Sequence, residues 1–147
     1  MFDTIVVGTD GSPTASEAVE QAIRLAAVHG AHLHVVSAFR TPAMAMSAPE
    51  AMSAGVAVEV QAERSEEAEA LLAEAAKQAK AAGIEVSTHA VLGEPADGII
   101  DVADELKADL IVVGNRGMAG ARRFLLGSVP NRVSHHAGCS VLIVRTC

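Results

Sequence analysis

The sequence predicts a single doubly wound α/β domain built on a mainly parallel sheet of five strands. Short runs of β-branched and other apolar residues alternate along the chain with segments of helical periodicity. The runs at 4–10 and 108–114 are apolar over most of their length, as is typical of strands buried on both faces of a sheet. Because parallel strands are joined by crossover connections, this alternation predicts helices on both faces of the sheet.

Local signals delimit the first strand, the first helix and the second strand. Ser12 provides an N-cap hydroxyl and Pro13 suits the first helical position, so a helix is expected directly after strand 4–10. Gly30 ends this helix, because glycine readily adopts the left-handed conformation of a helix end. The apolar run 31–39 then predicts the second strand.

The segment 40–57 has no clean hydrophobic period. It contains two prolines and three methionines among small residues. We interpret it as a long, mobile loop that lies over a site or over a neighbouring subunit. A plain connector between two elements is the alternative.

The remaining elements continue the alternation, and one domain spans residues 1–147. The helix after the loop carries early glutamates, late lysines and an apolar stripe, as an amphipathic helix with a favourable dipole does. Its stripe consists of Ala68, Leu71, Leu72, Ala75, Ala79 and Ala82. The predicted elements are a helix at 58–82, a strand at 84–92, a helix introduced by Gly93 and Pro95 that directs Ile99, Val102, Ala103 and Leu106 inward, a strand at 108–114, a helix capped by Ser128 that runs to about Ala137, and a strand at 139–146.

Composition excludes several classes of function. The chain has 11 basic and 18 acidic residues, a net charge of −7, and only 2% aromatic residues. An acidic chain with almost no stacking side chains is a poor candidate for nucleic-acid binding. No apolar run approaches the roughly 20 residues of a membrane helix, and no leader pattern is evident. The composition therefore predicts a cytoplasmic protein without membrane contact.

The cysteines and histidines are interpreted as structural. Cys139 precedes an apolar run and Cys147 ends the sequence, which does not indicate a disulfide framework. His32 and His34 alternate on a strand and therefore face one side, but they have no cysteine or aspartate partner at ligand spacing. We expect surface or half-buried histidines and no metal site formed by them.

The carboxyl ends of the strands are where ligands bind in open parallel sheets, at the point where strand order reverses. Asp10 follows the first strand as a carboxylate at the mouth of the sheet. It can accept hydrogen bonds from ribose hydroxyls or hold a divalent cation such as Mg²⁺. The alternative interpretation is an aspartate that only forms the turn or caps the helix.

A glycine-rich stretch, GNRGMAGARRFLLGS at 114–128, follows the fourth strand. Gly114 and Gly117 allow the main chain to approach a ligand, and Gly127 with Ser128 opens a helix whose first N–H groups have no partner. Such a helix start favours anions, so a phosphate chain is expected on Gly127, Ser128 and Val129, with charge supplied by Arg116. No lysine precedes Ser128, so this is not a P-loop. The alternative is that the glycines serve only the turn.

The spacing of these residues resembles the universal stress protein family. Gly114, two residues, Gly117, nine residues and Gly127-Ser128 form the G-2x-G-9x-G-S motif of its ATP-binding branch. The flanking stretches TIVVGTDGS, ADLIVVGNRG and CSVLIVR match as well, so the resemblance covers the whole chain. It implies an adenine nucleotide alpha hydrolase-like sandwich with strand order 3-2-1-4-5, and a dimer formed through the last strand, 141–145.

The resemblance also implies a set of nucleotide-binding residues. Asp10 would meet the ribose or a phosphate-bound Mg²⁺, Ala38 and Gly93 would border adenine, and the glycine loop would hold the phosphates. Pro130 stands where a polar residue is common. The complete predicted set is Gly8, Thr9, Asp10, Ala38, Gly93, Val113, Gly114, Arg116, Gly117, Gly127, Ser128 and Val129.

The predicted function is therefore a stress-response or signalling module that binds ATP, AMP or cyclic AMP. No second carboxylate or activated nucleophile accompanies Asp10, so we expect no enzyme, or at most a weak ATPase. A slow ATP hydrolase and a ligand-free interaction protein of the same fold are the alternatives. Adenylate-forming ligases and ATP pyrophosphatases are not favoured, because GTDGSPTAS lacks their loop motifs after the first strand.

Overall fold

A computed structural model of the chain describes residues 1–40, 54–115 and 126–146. Strands and helices alternate throughout this part of the chain. The elements are β1 (Thr4–Gly8), α1 (Pro13–His29), β2 (His32–Phe39), α2 (Ala54–Ala81), β3 (Val86–Leu92), α3 (Pro95–Leu106), β4 (Leu110–Gly114), α4 (Ser128–His136) and β5 (Ser140–Val144).

The strands form one parallel sheet in the order β3-β2-β1-β4-β5. This confirms the predicted fold class and strand order. β1 pairs with β2 on one side and with β4 on the other. The connections that leave β1 and β4 therefore diverge, which opens a crevice at the carboxyl ends of these two strands.

Aliphatic side chains cover both faces of the sheet. On β1, Ile5 and Val7 pack into the layer formed by α1 and α2, whereas Val6 packs into the layer formed by α3 and α4. All three side chains are fully buried. A central strand enclosed on both faces explains why its sequence is an apolar run without alternation.

The predicted boundaries of α1 are confirmed. The hydroxyl of Ser12 accepts a hydrogen bond of 3.2 Å from the Ala15 N–H, and Pro13 is the first helical residue. Gly30 adopts the left-handed conformation with φ of 67°. Both signals act within one turn of chain, so they do not depend on the rest of the fold.

The second helix differs from its prediction at both ends. It begins at Ala54, so 54–57 are helical and the predicted loop at 40–57 is too long. Ala54 and Ala57 have the highest helix propensity, which favours a helix that starts before the first clear amphipathic turn. Within the predicted stripe, Ala68, Leu72, Ala75 and Ala79 are buried, but Ala82 follows the helix and is exposed. The part of the predicted loop at 41–53 lies outside the described residues.

Three histidines form a cluster on β2 and β3. His34 is only 7% exposed, and its Nδ1 lies 3.0 Å from Nε2 of His89. The ring of His32 stacks on that of His34 with centroids 4.1 Å apart, and its Nε2 lies 2.8 Å from the hydroxyl of Ser87. In the described ranges, no three His, Cys, Asp or Glu side chains are placed so that they can hold a metal ion.

This cluster makes folding sensitive to acid. Burial, together with the smaller effects of the neighbouring His32 and His89, lowers the pKa of His34 from 6.5 to about 4. Burial also lowers the pKa of His89, while Glu105 opposes that shift. Between pH 6.5 and about 4 the unfolded chain binds a proton at His34 that the folded chain does not bind, so acid favours unfolding.

We predict that the free energy of unfolding falls by on the order of 2 kcal/mol between pH 6.5 and pH 4 because of His34. The stability contributed by neutral His34 is complete above pH 6.5. Chemical denaturation at several pH values should show a weaker pH dependence for His34→Val than for the wild-type chain. His135→Gln, at an exposed position, is the control and should keep the wild-type slope. Equal slopes for all three proteins would contradict the prediction.

Candidate functional site

A cavity lies at the carboxyl ends of β1 and β4, where the two connections diverge. It contains about 590 Å³ of space, part of which is open to solvent. The described residues that line it are Gly8, Thr9, Asp10, Ala15, Val36, Ala38, Pro95, Ile99, Val113, Gly114, Val129 and Pro130.

Most of the predicted site residues that the structure describes line this cavity. Those that do are Gly8, Thr9, Asp10, Ala38, Val113, Gly114 and Val129. Gly93, Gly127 and Ser128 do not line it, and Arg116 and Gly117 lie outside the described residues. The lining residues that sequence reasoning missed are Ala15, Val36, Pro95, Ile99 and Pro130. They carry no polar side chain that would signal a site, and only the fold brings them to it.

Gly8 lets α3 lie close to β1. A Cβ atom at this position would overlap the side chain of Ile99. Glycine is therefore required by packing between the strand and the helix as much as by any ligand. Because Ile99 also lines the cavity, this close approach sets the position of one cavity wall.

Ala38 presents main-chain groups to the cavity. The carbonyl of Val36 accepts the Thr9 N–H and the carbonyl of Phe39 accepts the Gly93 N–H, each at 2.9 Å. Successive residues of a parallel strand direct their main-chain groups to opposite neighbours, so Ala38 faces the side of β1. The pairing of β1 with β2 ends at Gly8 and Val36, so Ala38 lies beyond it. Its N–H and C=O therefore form an adjacent donor and acceptor at the cavity wall.

Gly93 has a structural role at the end of the sheet. Its φ is 132°, and its N–H donates to Phe39, which closes the end of the pairing between β2 and β3. This hydrogen bond keeps Gly93 at the sheet edge, and Pro95 lines the cavity in its place. The guanidinium of Arg40 pairs with the carboxylate of Glu94 at 2.6 Å on the same edge.

Asp10 both forms a turn and lines the cavity. Its Oδ1 accepts the Ser12 N–H at 2.9 Å, while the hydroxyl of Thr9 accepts the Gly11 N–H at 3.2 Å. One carboxylate oxygen of Asp10 therefore forms the turn, as the alternative interpretation of this residue predicts. The other oxygen remains for a ligand, because Asp10 is exposed at the cavity mouth. One carboxylate oxygen suits a ribose hydroxyl, or Mg²⁺ that takes its other ligands from phosphates and water.

The start of α4 corrects two details of the predicted anion site. Gly127, not Ser128, is the N-cap, and no side chain caps the helix. The Gly127 N–H donates to the carbonyl of Asn115 at 2.9 Å, so it is not available to an anion. Asn131 donates to the Gly127 carbonyl, and Pro130 has no N–H. The donors left at this helix start are the main-chain N–H groups of Ser128 and Val129, together with the Ser128 hydroxyl.

The other two helix starts near the cavity are less suited to an anion. At α1, Pro13 lacks an N–H and the Ser12 hydroxyl already accepts the Ala15 N–H. At α3, Pro95 lacks an N–H, and two carboxylates, those of the N-cap Glu94 and of Asp97 in the first turn, flank the helix start. Each of these carboxylates is paired with an arginine side chain. The first turn of α4 contains no acidic residue. Its dipole therefore acts on an anion without opposition from its own side chains.

Asn115 is a residue that sequence reasoning missed. Its N–H donates to the Val144 carbonyl, and its carbonyl accepts the Gly127 N–H, each at 2.9 Å. Its side-chain Oδ1 accepts from both the main-chain N–H and the hydroxyl of Thr146, at 3.0 and 2.7 Å. The only sign of its role in the sequence is its position inside the glycine-rich stretch, because its hydrogen-bond partners are distant in the chain.

None of the helices in the described part of the chain has the length and hydrophobicity needed to cross a bilayer. Cys139 is a free, half-buried cysteine, and burial raises the pKa of its thiol. A raised pKa keeps the thiol protonated and unreactive at neutral pH, in agreement with a structural cysteine. Cys147 lies outside the described residues.

Comparison with known proteins connects this chain to one family. The sequence model of the universal stress protein family matches residues 1–145. The universal stress protein Rv1636 of Mycobacterium tuberculosis is 36% identical over 148 residues, covering 99% of this chain and 97% of its own. A crystal structure of a universal stress protein in complex with cAMP is 38% identical with a TM-score of 0.72, covering 99% of both chains. The universal stress protein from Archaeoglobus fulgidus in complex with dAMP is 26% identical with a TM-score of 0.63, covering 96% of both chains. The chain therefore belongs to the universal stress protein family.

Proposed function

We propose that this chain binds an adenine nucleotide in the cavity between β1 and β4 and acts as a stress-response or signalling module. The observation that carries the proposal is the main-chain donor and acceptor of Ala38 at one wall, together with the unpaired amides of α4 beside the same cavity. Related universal stress proteins in complex with cAMP and dAMP support the same class of ligand.

Adenine fits the pair of main-chain groups at Ala38. The Watson–Crick edge of adenine offers N1 as an acceptor beside the N6 amino group as a donor. An N–H and a C=O on one side of a strand complement this edge, while guanine presents the opposite order at N1 and O6. The apolar side chains of Val36, Ile99 and Val113 suit the faces of a base.

The phosphates belong at the start of α4. The Ser128 and Val129 N–H groups and the Ser128 hydroxyl provide donors, and the helix dipole favours negative charge. Asp10 then contacts the ribose hydroxyls or a Mg²⁺ ion carried by the phosphates. ATP, AMP and cyclic AMP all contain adenine, ribose and at least one phosphate, and all three are included in the proposal.

Binding rather than turnover is the proposed activity. Among the described residues that line the cavity, Asp10 alone carries a titratable side chain, and one of its oxygens is engaged in the turn. Efficient hydrolysis needs a positioned base or a metal-activated water near the scissile phosphate. We therefore propose a module whose output is a change of conformation or assembly on binding, with ATP hydrolysis slow at most. Its location in the cytoplasm remains a prediction from composition.

A homodimer through β5 is part of the proposal. β5 and β3 are the two edges of the sheet. The edge at β3 carries Ser87, Thr88 and His89, whereas β5 is apolar from Val141 to Val144. An apolar edge strand favours pairing with a second copy of itself.

We predict that the wild-type chain binds AMP at least about tenfold more tightly than GMP, because GMP places like groups against both main-chain groups of Ala38. Isothermal titration calorimetry with AMP, cyclic AMP, ATP and GMP measures this preference. Mass spectrometry of an acid extract of the purified protein identifies any nucleotide that copurifies. Equal affinity for AMP and GMP, or no binding of any of the four, would contradict the proposed function.

Replacing Ser128 by proline tests the amide donors at α4. Gly127 is extended, with ψ of 166°, so it tolerates a following proline, and proline suits the first helical position. We predict that Ser128→Pro weakens AMP binding by about tenfold or more and leaves adenosine binding unchanged, because only the phosphate loses donors. Ser128→Ala, which removes only the hydroxyl, is the matched control and should show a smaller loss. Wild-type AMP affinity in Ser128→Pro would remove this helix start from the site.

Assembly is tested by a charge on the edge strand. We predict that the wild-type chain has the mass of a dimer by light scattering and that Leu142→Lys shifts it toward the monomer, since paired strands would bring the two lysines together. Leu92→Lys, at an exposed position on the opposite edge strand, is the control. A monomeric wild-type protein, or an unaffected dimer in Leu142→Lys, would rule out pairing through β5.

A further inference from the structure

We propose that Asn115 is a positioning residue for the phosphate end of the site and that Thr146, on the segment after β5, acts through it. This inference rests on the proposed function, because it concerns the same nucleotide site. Neither Asn115 nor Thr146 lines the cavity. Their effect is therefore exerted through the start of α4 and not through contact with the ligand.

The first step is the main chain of Asn115. It follows Gly114, the last residue of β4, and its carbonyl accepts the N–H of Gly127, the N-cap of α4. The second residue of the glycine-rich stretch is thus hydrogen-bonded to the second-to-last one. The position of the Asn115 carbonyl consequently determines where α4 starts and where its first free N–H groups point.

The second step is the side chain that holds this carbonyl in place. One oxygen, Oδ1, accepts both the main-chain N–H and the hydroxyl of Thr146. In addition, the Asn115 N–H donates to the carbonyl of Val144, the last residue of β5. Asn115 is thereby held by three hydrogen bonds to the end of β5 and the residues that follow it.

The third step connects this anchoring to the ligand. The N–H of Ser128 is the first unpaired donor, and Ser128 follows directly on Gly127, whose own N–H is bound to Asn115. Hydrogen bonds weaken steeply as distance and angle depart from their optimum, so a small shift of Gly127 costs phosphate contacts. Adenosine, which contacts only the other part of the cavity, is insensitive to that shift. Loss of the hydrogen bonds that hold Asn115 should therefore lower the affinity for AMP and leave the affinity for adenosine unchanged.

The test compares AMP with adenosine as probes, using the full chain and isothermal titration calorimetry. Thr146→Val removes the hydroxyl donor and keeps the main-chain N–H, while Thr146→Ser keeps both. We expect Asn115→Ala and Thr146→Val to weaken AMP binding by about threefold to tenfold, the equivalent of one net hydrogen bond, with adenosine affinity unchanged. Thr146→Ser should keep the wild-type ratio of the two affinities.

The possible outcomes are distinguishable. A wild-type chain that binds AMP, with the same AMP-to-adenosine ratio in Thr146→Val and Asn115→Ala, overturns the inference and leaves the proposed function intact. Equal losses of AMP and adenosine affinity also overturn it, because they indicate general destabilisation. If Asn115→Ala fails to fold, the result for Thr146→Val decides. A wild-type chain that binds neither probe overturns the proposed function, and the inference with it.

Discussion

The parallel pairing of β1 with both β2 and β4 is the constraint on which the rest of the structure depends. It places β1 at the centre of the sheet, where Ile5, Val6 and Val7 are inaccessible to solvent. It also places the carboxyl ends of β1 and β4 side by side while their connections lead to opposite faces. The cavity lies at these two carboxyl ends, which is where ligands bind in open parallel sheets.

Small residues determine how this cavity is shaped and what it can recognise. Gly8 allows the Ile99 side chain to approach β1. Ala38 lies beyond the pairing of β1 with β2, so its main-chain groups face the cavity. The wall consequently offers main-chain donors and acceptors among apolar side chains. Such a wall suits a planar heterocycle with an adjacent donor and acceptor. Among the described residues that line the cavity, only Asp10 carries a carboxylate, and it lies at the mouth.

Three helices start near the cavity, and their sequences determine how many N–H groups each helix start offers to an anion. At both α1 and α3 the first helical residue is a proline, which has no N–H, and α3 also carries the carboxylates of Glu94 and Asp97 at its start. At α4, Asn115 takes the N-cap amide and Pro130 contributes none, so two adjacent N–H groups remain. The same residue, Asn115, is bound to the end of β5, the strand proposed for pairing with a second copy. The proposed phosphate contacts and the proposed assembly thus share one structural element.

The sequence by itself determined what depends on neighbours in the chain. Alternating apolar runs and helical periods predicted every strand and helix to within a few residues, and Ser12, Pro13 and Gly30 predicted the ends of α1, because caps and propensities act over one or two turns. The glycine spacing led to the family and most of the cavity lining. Only the tertiary structure decided that Gly127 donates its N–H to Asn115 and that Gly93 closes the pairing of two strands. It also decided that Val36 and Ile99 line the cavity, and that His34 is buried beside two other imidazoles. Each of these depends on partners distant in the chain, and local sequence carries no record of which distant groups will meet.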